Sequence, residues 1–304
     1  MGIIYNNAEL LLHAKADKVS FKDVLTIGRL SLFLSAKQLK KLSVKFQVDY
    51  QPETFVKNSY AEHFIKVFLG ADTVSSLDYS KYEQCTVVHD MNCPVDKKWH
   101  EKYDIVIDGG TLEHVFNFPV ALANCMNMVK KGGSLFVFSM ANNHMGHGFY
   151  QFSPELFYRA FQKQNGYKVD TMILEEHPFS WAELGGSHKL YGVVDPADVE
   201  QRVGLANKKP VMIMVHAKRT EIKAVFESYP IQSDYFSASS AIENGVSANG
   251  NKILKNIRRF FKSAYLKFPL KMQEAIYDWR NFYRGYVAHQ KFSFSNKIFF
   301  KRIR

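Results

Sequence analysis

The sequence predicts a doubly wound α/β fold with a mostly parallel sheet. Short apolar strands alternate with amphipathic helices, and several of these strands end on Asp or Gly. Residues 103–139, YDIVIDGGTLEHVFNFPVALANCMNMVKKGGSLFVFS, contain a strand, a helix and a second strand in succession. Ligands of such folds lie beyond the carboxyl ends of the strands, so Asp108, Glu113 and His114 mark the expected site.

Glycine, proline and aspartate separate the predicted elements in the first half of the chain. We expect helices over 7–16, 35–47 and 54–69, and strands over 23–28, 73–77, 86–89 and 103–108. The second helix has lysines on one side and Leu39, Leu42 and Phe46 on the other, which is typical of an amphipathic helix. Gly70 is a suitable residue to end the third helix.

The second half of the chain continues the alternation. We expect helices over 117–130 and from Ser153-Pro154 onward, and strands over 134–139, 167–175 and 211–216. Residues 177–209 are expected to be irregular, and the Ser-, Asn- and Gly-rich residues 228–250 are expected to form a linker. The predicted organisation is therefore an α/β domain over 1–227, a linker over 228–250 and a basic helical tail over 251–304.

The net charge of +11 is concentrated in the tail. Residues 251–304 contain 14 Lys and Arg against two acidic residues, whereas the remaining 250 residues contain 26 basic and 27 acidic residues. The near-neutral body therefore gives no electrostatic basis for nucleic-acid binding. Three cysteines are too few for a disulfide framework and indicate a reducing, cytoplasmic compartment. We see neither a signal peptide nor an apolar run near the roughly 20 residues that span a bilayer.

The predicted strand ends offer groups suited to an adenosine-containing ligand. Asp78 can accept hydrogen bonds from the two hydroxyls of a ribose. Asp90 can accept one from the amino group of adenine, and Met91 offers an apolar wall. Gly28 lets a ligand approach the backbone closely. A strand-end aspartate such as Asp108 is as often a turn residue or helix cap as a ligand contact. The prediction of a ligand therefore depends on several such residues falling at corresponding strand ends of one sheet.

The ordered motifs resemble those of the class I S-adenosylmethionine-dependent methyltransferases: Gly28, Asp78, Asp90, Asp108, Glu113-His114 and Gly132-Gly133. TLEHVFN resembles the stretch after their fourth strand, and VKKGGSLFVFS resembles their Gly-Gly turn and fifth strand. Over residues 20–220, SLDYSKYEQCTVVHDMNCPV and ANNHMGHGFYQFSPELFYRAF resemble a bacterial methyltransferase-like family associated with surface-glycan gene clusters. The resemblance implies a seven-stranded Rossmann-like sheet, S-adenosylmethionine as cofactor and methyl transfer to a small or sugar-containing acceptor.

The resemblance also implies roles for individual residues. Gly28 would lie near the methionine part of the cofactor and Asp78 on its ribose. Asp90 and Met91 would surround the adenine, and Asp108, followed by Gly109, would lie beside the transferred methyl group.

The first-strand motif departs from the family pattern. Thr26 stands where an acid is usual, and Leu30 stands where the second glycine is usual. A leucine side chain would crowd the approach of the cofactor to the backbone. Arg29 is a candidate to hold the carboxylate of the cofactor or an anionic group of the substrate. A catalytically inactive protein that keeps the fold for binding or scaffolding is therefore the alternative.

Histidine is the expected general base for a hydroxyl acceptor. His114 follows the fourth strand, while His144 and His147 lie in the polar, glycine-rich loop 142–150 after the fifth. Glu113 and His114 either take part in catalysis or orient a loop. His144 and His147 are spaced i, i+3, but the neighbouring sequence offers no third carboxylate or cysteine ligand, so no metal is expected.

The tail predicts two amphipathic helices, over 252–268 and 270–288, with basic and aromatic residues. Such helices can bind an anionic membrane surface, which would bring the protein to the inner face of the membrane and to a lipid-linked glycan. A helical pair packed on the body with a solvated lysine face is an alternative, and RNA binding is a weaker one.

Overall fold

The computed structural model describes residues 2–55, 59–180, 182, 184–185, 187–235, 265–266 and 268–304. The chain divides into two compact units. The first comprises Met1–Val193, Lys208–Pro230 and Lys301–Arg304, and the second comprises Val194–Asn207 and Ile231–Phe300.

The strands of the described residues are β1 (Gly2–Ile3), β2 (Asp23–Ile27), β3 (Ser31–Leu32), β4 (Thr73–Asp78), β5 (Val87–Val88), β6 (Tyr103–Asp108), β7 (Val129–Asn142), β8 (Tyr167–Glu176), β9 (Lys189–Val193), β10 (Val211–Arg219) and β11 (Phe300–Arg302). The α-helices are α1 (Tyr5–Ala16), α2 (Ala36–Phe46), α3 (Glu62–Phe64), α4 (Phe118–Met128), α5 (Pro154–Ala160) and α6 (Leu270–Lys291). A π-helical segment, Ile65–Leu69, continues α3, and short 3-10 helices occur at Pro52–Thr54, Lys97–Trp99, Leu112–His114 and Lys163–Asn165.

Nine of the described strands form one sheet in the order β11-β9-β8-β10-β7-β6-β2-β4-β5. The five strands from β7 to β5 are parallel to one another. Counted along the chain, they follow the order 3-2-1-4-5 of doubly wound dinucleotide-binding sheets. β10 is antiparallel to both β7 and β8, so β8 runs in the same direction as the parallel strands. The predicted doubly wound, Rossmann-like α/β class is therefore confirmed.

The expected number of seven strands is wrong, because β9 and β11 extend one edge of the sheet. β9 lies within residues 177–209, which we expected to be irregular. The last residues of the predicted helical tail are a strand: Ile303 N–H donates to the carbonyl of Leu190 (2.8 Å), and Leu190 N–H donates to the carbonyl of Arg304 (3.0 Å). These hydrogen bonds satisfy backbone groups that the edge strand β9 would otherwise leave unpaired.

Both faces of the central parallel strands β2 and β6 are buried, as is typical of a doubly wound sheet. Val24 and Ile105 belong to a core cluster with residues of α1, α2 and the π-helical segment. Their chain neighbours Leu25 and Val106 point to the opposite face and are also fully buried. Ser35 begins α2 with a reciprocal capping box, in which its side chain accepts from Gln38 N–H and its own N–H donates to the Gln38 side chain.

Other predicted helices differ in detail. The helix expected over 54–69 is interrupted, because Ala61 N–H donates to the carbonyl of Leu30 (2.8 Å) and Leu32 N–H donates to the carbonyl of Ser59 (2.8 Å), which holds this segment beside β3. Ser153 precedes α5, but its side chain makes no capping hydrogen bond.

The tail falls only in part within the described residues. The helix expected over 270–288 is present as α6, whereas most of the helix expected over 252–268 and most of the expected linker lie outside the described residues. None of the described helices combines the length and the apolar character needed to cross a membrane.

Candidate active site

Three adjacent strands bring predicted cofactor residues to one edge of the sheet. In the parallel ladder, Ile27 at the end of β2 lies opposite Leu77 of β4 on one side and Asp108 of β6 on the other. Gly28 has φ +76° and donates its N–H to the carbonyl of Leu77 (2.7 Å). Asp78, Gly28 and Asp108 therefore occupy neighbouring strand tips, as the sequence predicted.

Asp108 is completely buried. Its Oδ1 accepts hydrogen bonds from the N–H groups of Thr111 (2.9 Å) and Leu112 (3.2 Å), so this oxygen closes the turn after β6. Its Oδ2 makes no hydrogen bond with any described residue. Burial raises the pKa of Asp108 well above its ordinary value, and the nearby carboxylate of Glu113 adds to the shift. Asp108 Oδ1 thus serves the turn after β6, whereas Oδ2 is a buried acceptor without a hydrogen-bond partner among the described residues.

Glu113 lies in the 3-10 helix after β6 and is also fully buried. Ser139 Oγ donates to Glu113 Oε2 (2.7 Å), and Glu113 Oε1 lies 3.8 Å from His147 Nε2. Burial raises the pKa of Glu113, while the hydrogen bond from Ser139 opposes that shift. A protonated His147 would compensate the charge of an ionised Glu113 carboxylate.

Backbone hydrogen bonds fasten the loop 142–150 to this 3-10 helix. The N–H groups of Phe149 (2.8 Å) and Tyr150 (3.2 Å) both donate to the carbonyl of Glu113. A Cβ on Gly148 would lie only 2.8 Å from the same carbonyl oxygen, so this close approach explains the glycine.

The loop brings the predicted histidines together. The rings of His114 and His147 are 5.3 Å apart, and those of His144 and His147 are 6.1 Å apart, between centroids. Desolvation, and then repulsion from a charge on His147, lower the pKa of His114. The ligating atoms of Glu113, His114 and His147 all lie within 4.8 Å of one another. The expectation that no carboxylate would join the histidines is therefore wrong, because β6 and β7 are adjacent parallel strands that place residues 113 and 147 side by side.

Asp90 and Met91 follow β5, next to the tip of β4. His89 N–H donates to the carbonyl of Asp78 (2.9 Å), which keeps this turn at the same edge. Asp90 Oδ1 accepts from the backbone N–H (2.9 Å) and the side-chain Nδ2 (2.8 Å) of Asn92, and the backbone hydrogen bond is the main cause of the lowered pKa of Asp90. Met91 is buried, and its sulfur lies 4.0 Å from Asn124 Nδ2. Their contact with adenine stays a prediction.

Arg29 is engaged by the protein itself. Its Nε lies 2.6 Å from Glu62 Oε1, its Nη1 donates to the carbonyl of Glu83 (2.8 Å), and its guanidinium lies 3.9 Å from the centroid of the Tyr60 ring. Arg29 therefore holds together three segments near the tip of β2. A role in binding an anionic ligand stays a prediction.

The residues of the degenerate first-strand motif are buried. Thr26 is 3% exposed and Leu30 is 1% exposed, and the side chain of Leu30 packs over Gly109. The Leu30 side chain, which the sequence predicts to crowd the site, therefore occupies space beside the tip of β6.

Sequence reasoning missed a second cluster, formed by Glu175, His177 and His188 at the end of β8 and in the connection to β9. Glu175 Oε1 lies 2.5 Å from His188 Nδ1. Burial alone would raise the pKa of Glu175, but His177 and His188 outweigh it and lower the pKa to about 2. In the sequence, this cluster is indicated only by the pattern Glu-x-His at residues 175–177.

A continuous series of rings links the two clusters. Successive centroid distances are 5.3, 6.1, 6.2 and 4.6 Å along His114, His147, His144, His177 and His188. Two adjoining cavities, of about 270 and 450 Å³, lie beside residues 32–39, which follow the tip of β2, and both are lined by Phe33, Gln38 and Leu184.

Comparisons with known proteins give weak similarities only. No family model matches the chain, and no curated protein matches it. A solved structure from Bacillus halodurans, assigned as a methyltransferase, is 9% identical over 70% of this chain and 99% of its own, with a TM-score of 0.36. A SAM-dependent methyltransferase from Thermotoga maritima is 13% identical over 70% and 88% of the two chains, with a TM-score of 0.37. A Galdieria sulphuraria protein assigned as a sarcosine dimethylglycine methyltransferase is 10% identical over 71% and 87%, with a TM-score of 0.39. These values are too low to assign a family or an activity to this chain.

Proposed function

We propose that this chain is an enzyme that transfers the methyl group of S-adenosylmethionine to a hydroxyl of a small, sugar-containing acceptor. The observation that carries the proposal is the convergence of Gly28, Asp78 and Asp108 with the Glu113–His147 pair at one edge of the sheet. In doubly wound sheets this edge is where nucleotide-type ligands bind. The resemblance of the ordered motifs to class I methyltransferases supports the same reading.

The residues at the strand tips suit the cofactor. The half-buried carboxylate of Asp78 is an acceptor for ribose hydroxyls, and the buried Gly28, with φ +76°, turns the chain at the tip of β2. Asp108 Oδ2 and Glu113 Oε1 are buried acceptor atoms without a hydrogen bond to any described residue. Buried acceptors of this kind need a donor, which is either a proton on the carboxyl itself, since burial raises both pKa values, or a group of a ligand admitted to this edge.

The histidines suit a hydroxyl acceptor. S-adenosylmethionine, when bound, supplies an electrophilic methyl group, so the protein has to position an acceptor oxygen and remove its proton. The lowered pKa of His114 keeps its imidazole neutral near pH 7 and able to accept that proton. Glu113, held by Ser139, then stabilises positive charge on the neighbouring His147.

Exposed aromatic rings beside this cluster suit a sugar. Phe116 is 72% exposed and Phe149 is 67% exposed, with their rings edge to face at 5.9 Å. Tyr150 Oη donates to the carbonyl of Phe116 (2.6 Å), which fixes this platform next to the 3-10 helix of Glu113. Apolar rings exposed beside a polar cluster are typical of a binding surface, and the C–H faces of a sugar would cover them.

We extend the proposal to a membrane-linked acceptor reached through the tail. The helix α6 has exposed aromatic side chains, including Trp279 and Phe282, together with the basic residues Lys271, Arg280 and Arg284. This combination is suited to the interface of an anionic bilayer. Co-sedimentation of the full chain with anionic and with neutral vesicles tests it: we expect binding to anionic vesicles alone, and equal recovery with both kinds would contradict it.

Calorimetric titration of the full chain with S-adenosylmethionine and S-adenosylhomocysteine tests the cofactor assignment. We expect one site for each compound, and Asp78→Asn should weaken both affinities at least about tenfold because the ribose loses a charged acceptor. Asp72→Asn is the matched control, since Asp72 is an exposed acid at the opposite end of the same strand. Absence of binding by the unaltered chain, or equal affinities of the two variants, would overturn the assignment and favour the inactive scaffold.

A further inference from the structure

We propose that Glu175, His177 and His188 bind one divalent transition-metal ion, which ties His188, just before β9, to the end of β8. The inference is independent of the proposed methyl transfer, because these residues lie outside the strand tips assigned to the cofactor. It rests on the donor set, on buried atoms without partners and on the hydrogen bonds around the ligands.

The donor set is compact and buried. Glu175 and His177 are completely buried, and the side chain of His188 is 8% exposed. Glu175 Oε1 lies 2.5 Å from His188 Nδ1 and 3.7 Å from His177 Nε2, and the ligating atoms of the three side chains lie within 4.8 Å of one another. Two imidazoles and one carboxylate are a common ligand set for Zn²⁺ and Fe²⁺.

His177 provides the observation that points to a ligand. Neither of its ring nitrogens makes a hydrogen bond with any described residue, although the ring is completely buried. Glu175 Oε2 is also buried without a hydrogen-bond partner among the described residues. Buried polar atoms are nearly always satisfied in folded proteins, and a metal ion would satisfy one ring nitrogen of His177 and an oxygen of Glu175. The 3.7 Å between His177 Nε2 and Glu175 Oε1 is an ion-pair separation and too long for a hydrogen bond, so the ring nitrogens of His177 still lack a hydrogen-bond partner among the described residues.

His188 has the hydrogen bonds that a metal-bound histidine needs. Its Nε2 lies 2.9 Å from the carbonyl oxygen of Ala182 and 3.0 Å from that of Gly185, and only a protonated nitrogen can bond to these acceptors. The neutral ring therefore has its lone pair on Nδ1, which faces Glu175. A lone pair that faces a carboxylate oxygen requires a proton or a cation between them, and backbone carbonyls on the opposite nitrogen are typical of metal ligands.

The surroundings complete the site. Asn6 Nδ2 donates to Glu175 Oε1, and Arg304 donates to Asn6 Oδ1, so the carboxylate is oriented by residues from both ends of the chain. His188 and Asn6 line the cavity of about 270 Å³, which gives an ion a route to the ligands.

Metal analysis of the full chain tests the proposal. We expect the chelator-treated protein to bind one equivalent of Zn²⁺ in calorimetric titration, and Glu175→Gln or His188→Gln to lower the affinity by at least about 100-fold. Glu176→Gln is the matched control on the neighbouring residue, and His114→Gln reports on the other histidine cluster. Both controls should retain one equivalent.

A measurement on the unaltered chain covers the case in which a ligand variant fails to fold. Zn²⁺ should raise the thermal midpoint of the chelator-treated protein, because an ion that binds only the folded state stabilises it. Absence of Zn²⁺ binding by the unaltered chain, full affinity in folded Glu175→Gln, or loss of the ion in His114→Gln alone would each overturn the proposal.

Discussion

The side chain of Leu30 fills the space above Gly109: a Cβ placed on Gly109 would lie 2.7 Å from Leu30 Cδ2 and 2.9 Å from Leu30 Cδ1. Leu30 follows the tip of β2, and Gly109 follows the tip of β6. The contact therefore joins two strand tips that we assign to the cofactor, and it explains why a residue after Asp108 has to be glycine.

Gly109→Ala should destabilise the protein by about 1–3 kcal/mol, because the buried Leu30 side chain has to move. Leu30→Ala should cost about 2–5 kcal/mol by itself, but the double variant should lose less than the sum, since the new methyl group fills part of the cavity. Urea denaturation gives the free energies of unfolding. Gly285→Ala in α6 is the control, since its Cβ would meet no atom within 4 Å. Additive losses in the double variant would show that the two residues are not in contact.

Asp108→Asn should make the protein more stable at about pH 8. Burial raises the pKa of Asp108 in the folded state, so the folded state holds the proton more tightly than the unfolded chain does. Asp108 therefore contributes stability that is lost as pH rises from its unfolded pKa through its folded pKa, and the variant should lose this contribution while Glu113, whose pKa is also raised, keeps its own. The asparagine carbonyl still accepts from Thr111 and Leu112. Urea denaturation at about pH 5 and pH 8 measures the difference, and a variant less stable than its parent at pH 8 contradicts it.

His114→Gln and His147→Gln should each lower kcat by about 10²–10⁴-fold with a sugar-containing acceptor, because the proton acceptor or its neighbouring imidazole is lost. In the unaltered enzyme, the lowered pKa of His114 should preserve activity below pH 6.5 until the imidazole becomes protonated. Release of S-adenosylhomocysteine measures turnover. His100→Gln, in the turn before β6 at the opposite edge, is the control, and full turnover in both site variants would exclude a histidine base.

His216→Gln should remove part of the acid sensitivity of the fold. The His216 ring stacks on Phe136, with centroids 4.4 Å apart, and its Nε2 lies 3.0 Å from Ser134 Oγ. Burial lowers the pKa of His216, so the unfolded chain takes up a proton at higher pH than the folded protein does. Stability should be lost as pH falls below about 6.5 toward the folded pKa, and the variant should lose less over that range. This role would be refuted if the free energy of unfolding changed equally with pH in the variant and in the unaltered protein.

The fold class and the strand tips could be read from local patterns. Apolar runs closed by glycine or aspartate predicted β2, β4 and β6, and parallel pairing then placed Gly28, Asp78 and Asp108 at one edge. The partners across the site could not be predicted, because they depend on which strands are neighbours. Glu113 meets His147 through the adjacency of β6 and β7, and Asn6 meets Glu175 across 169 residues.

The sequence by itself determined the alternation of strands and helices, since hydrophobic periodicity and turn residues act over a few positions. Only the tertiary structure decided that Leu30 packs on Gly109, that Glu175 gathers two histidines, and that the last residues of the chain pair with β9. Each of these contacts depends on burial between segments distant along the chain. Burial determines which polar atoms lose contact with water, and burial between distant segments cannot be predicted from a few neighbouring residues.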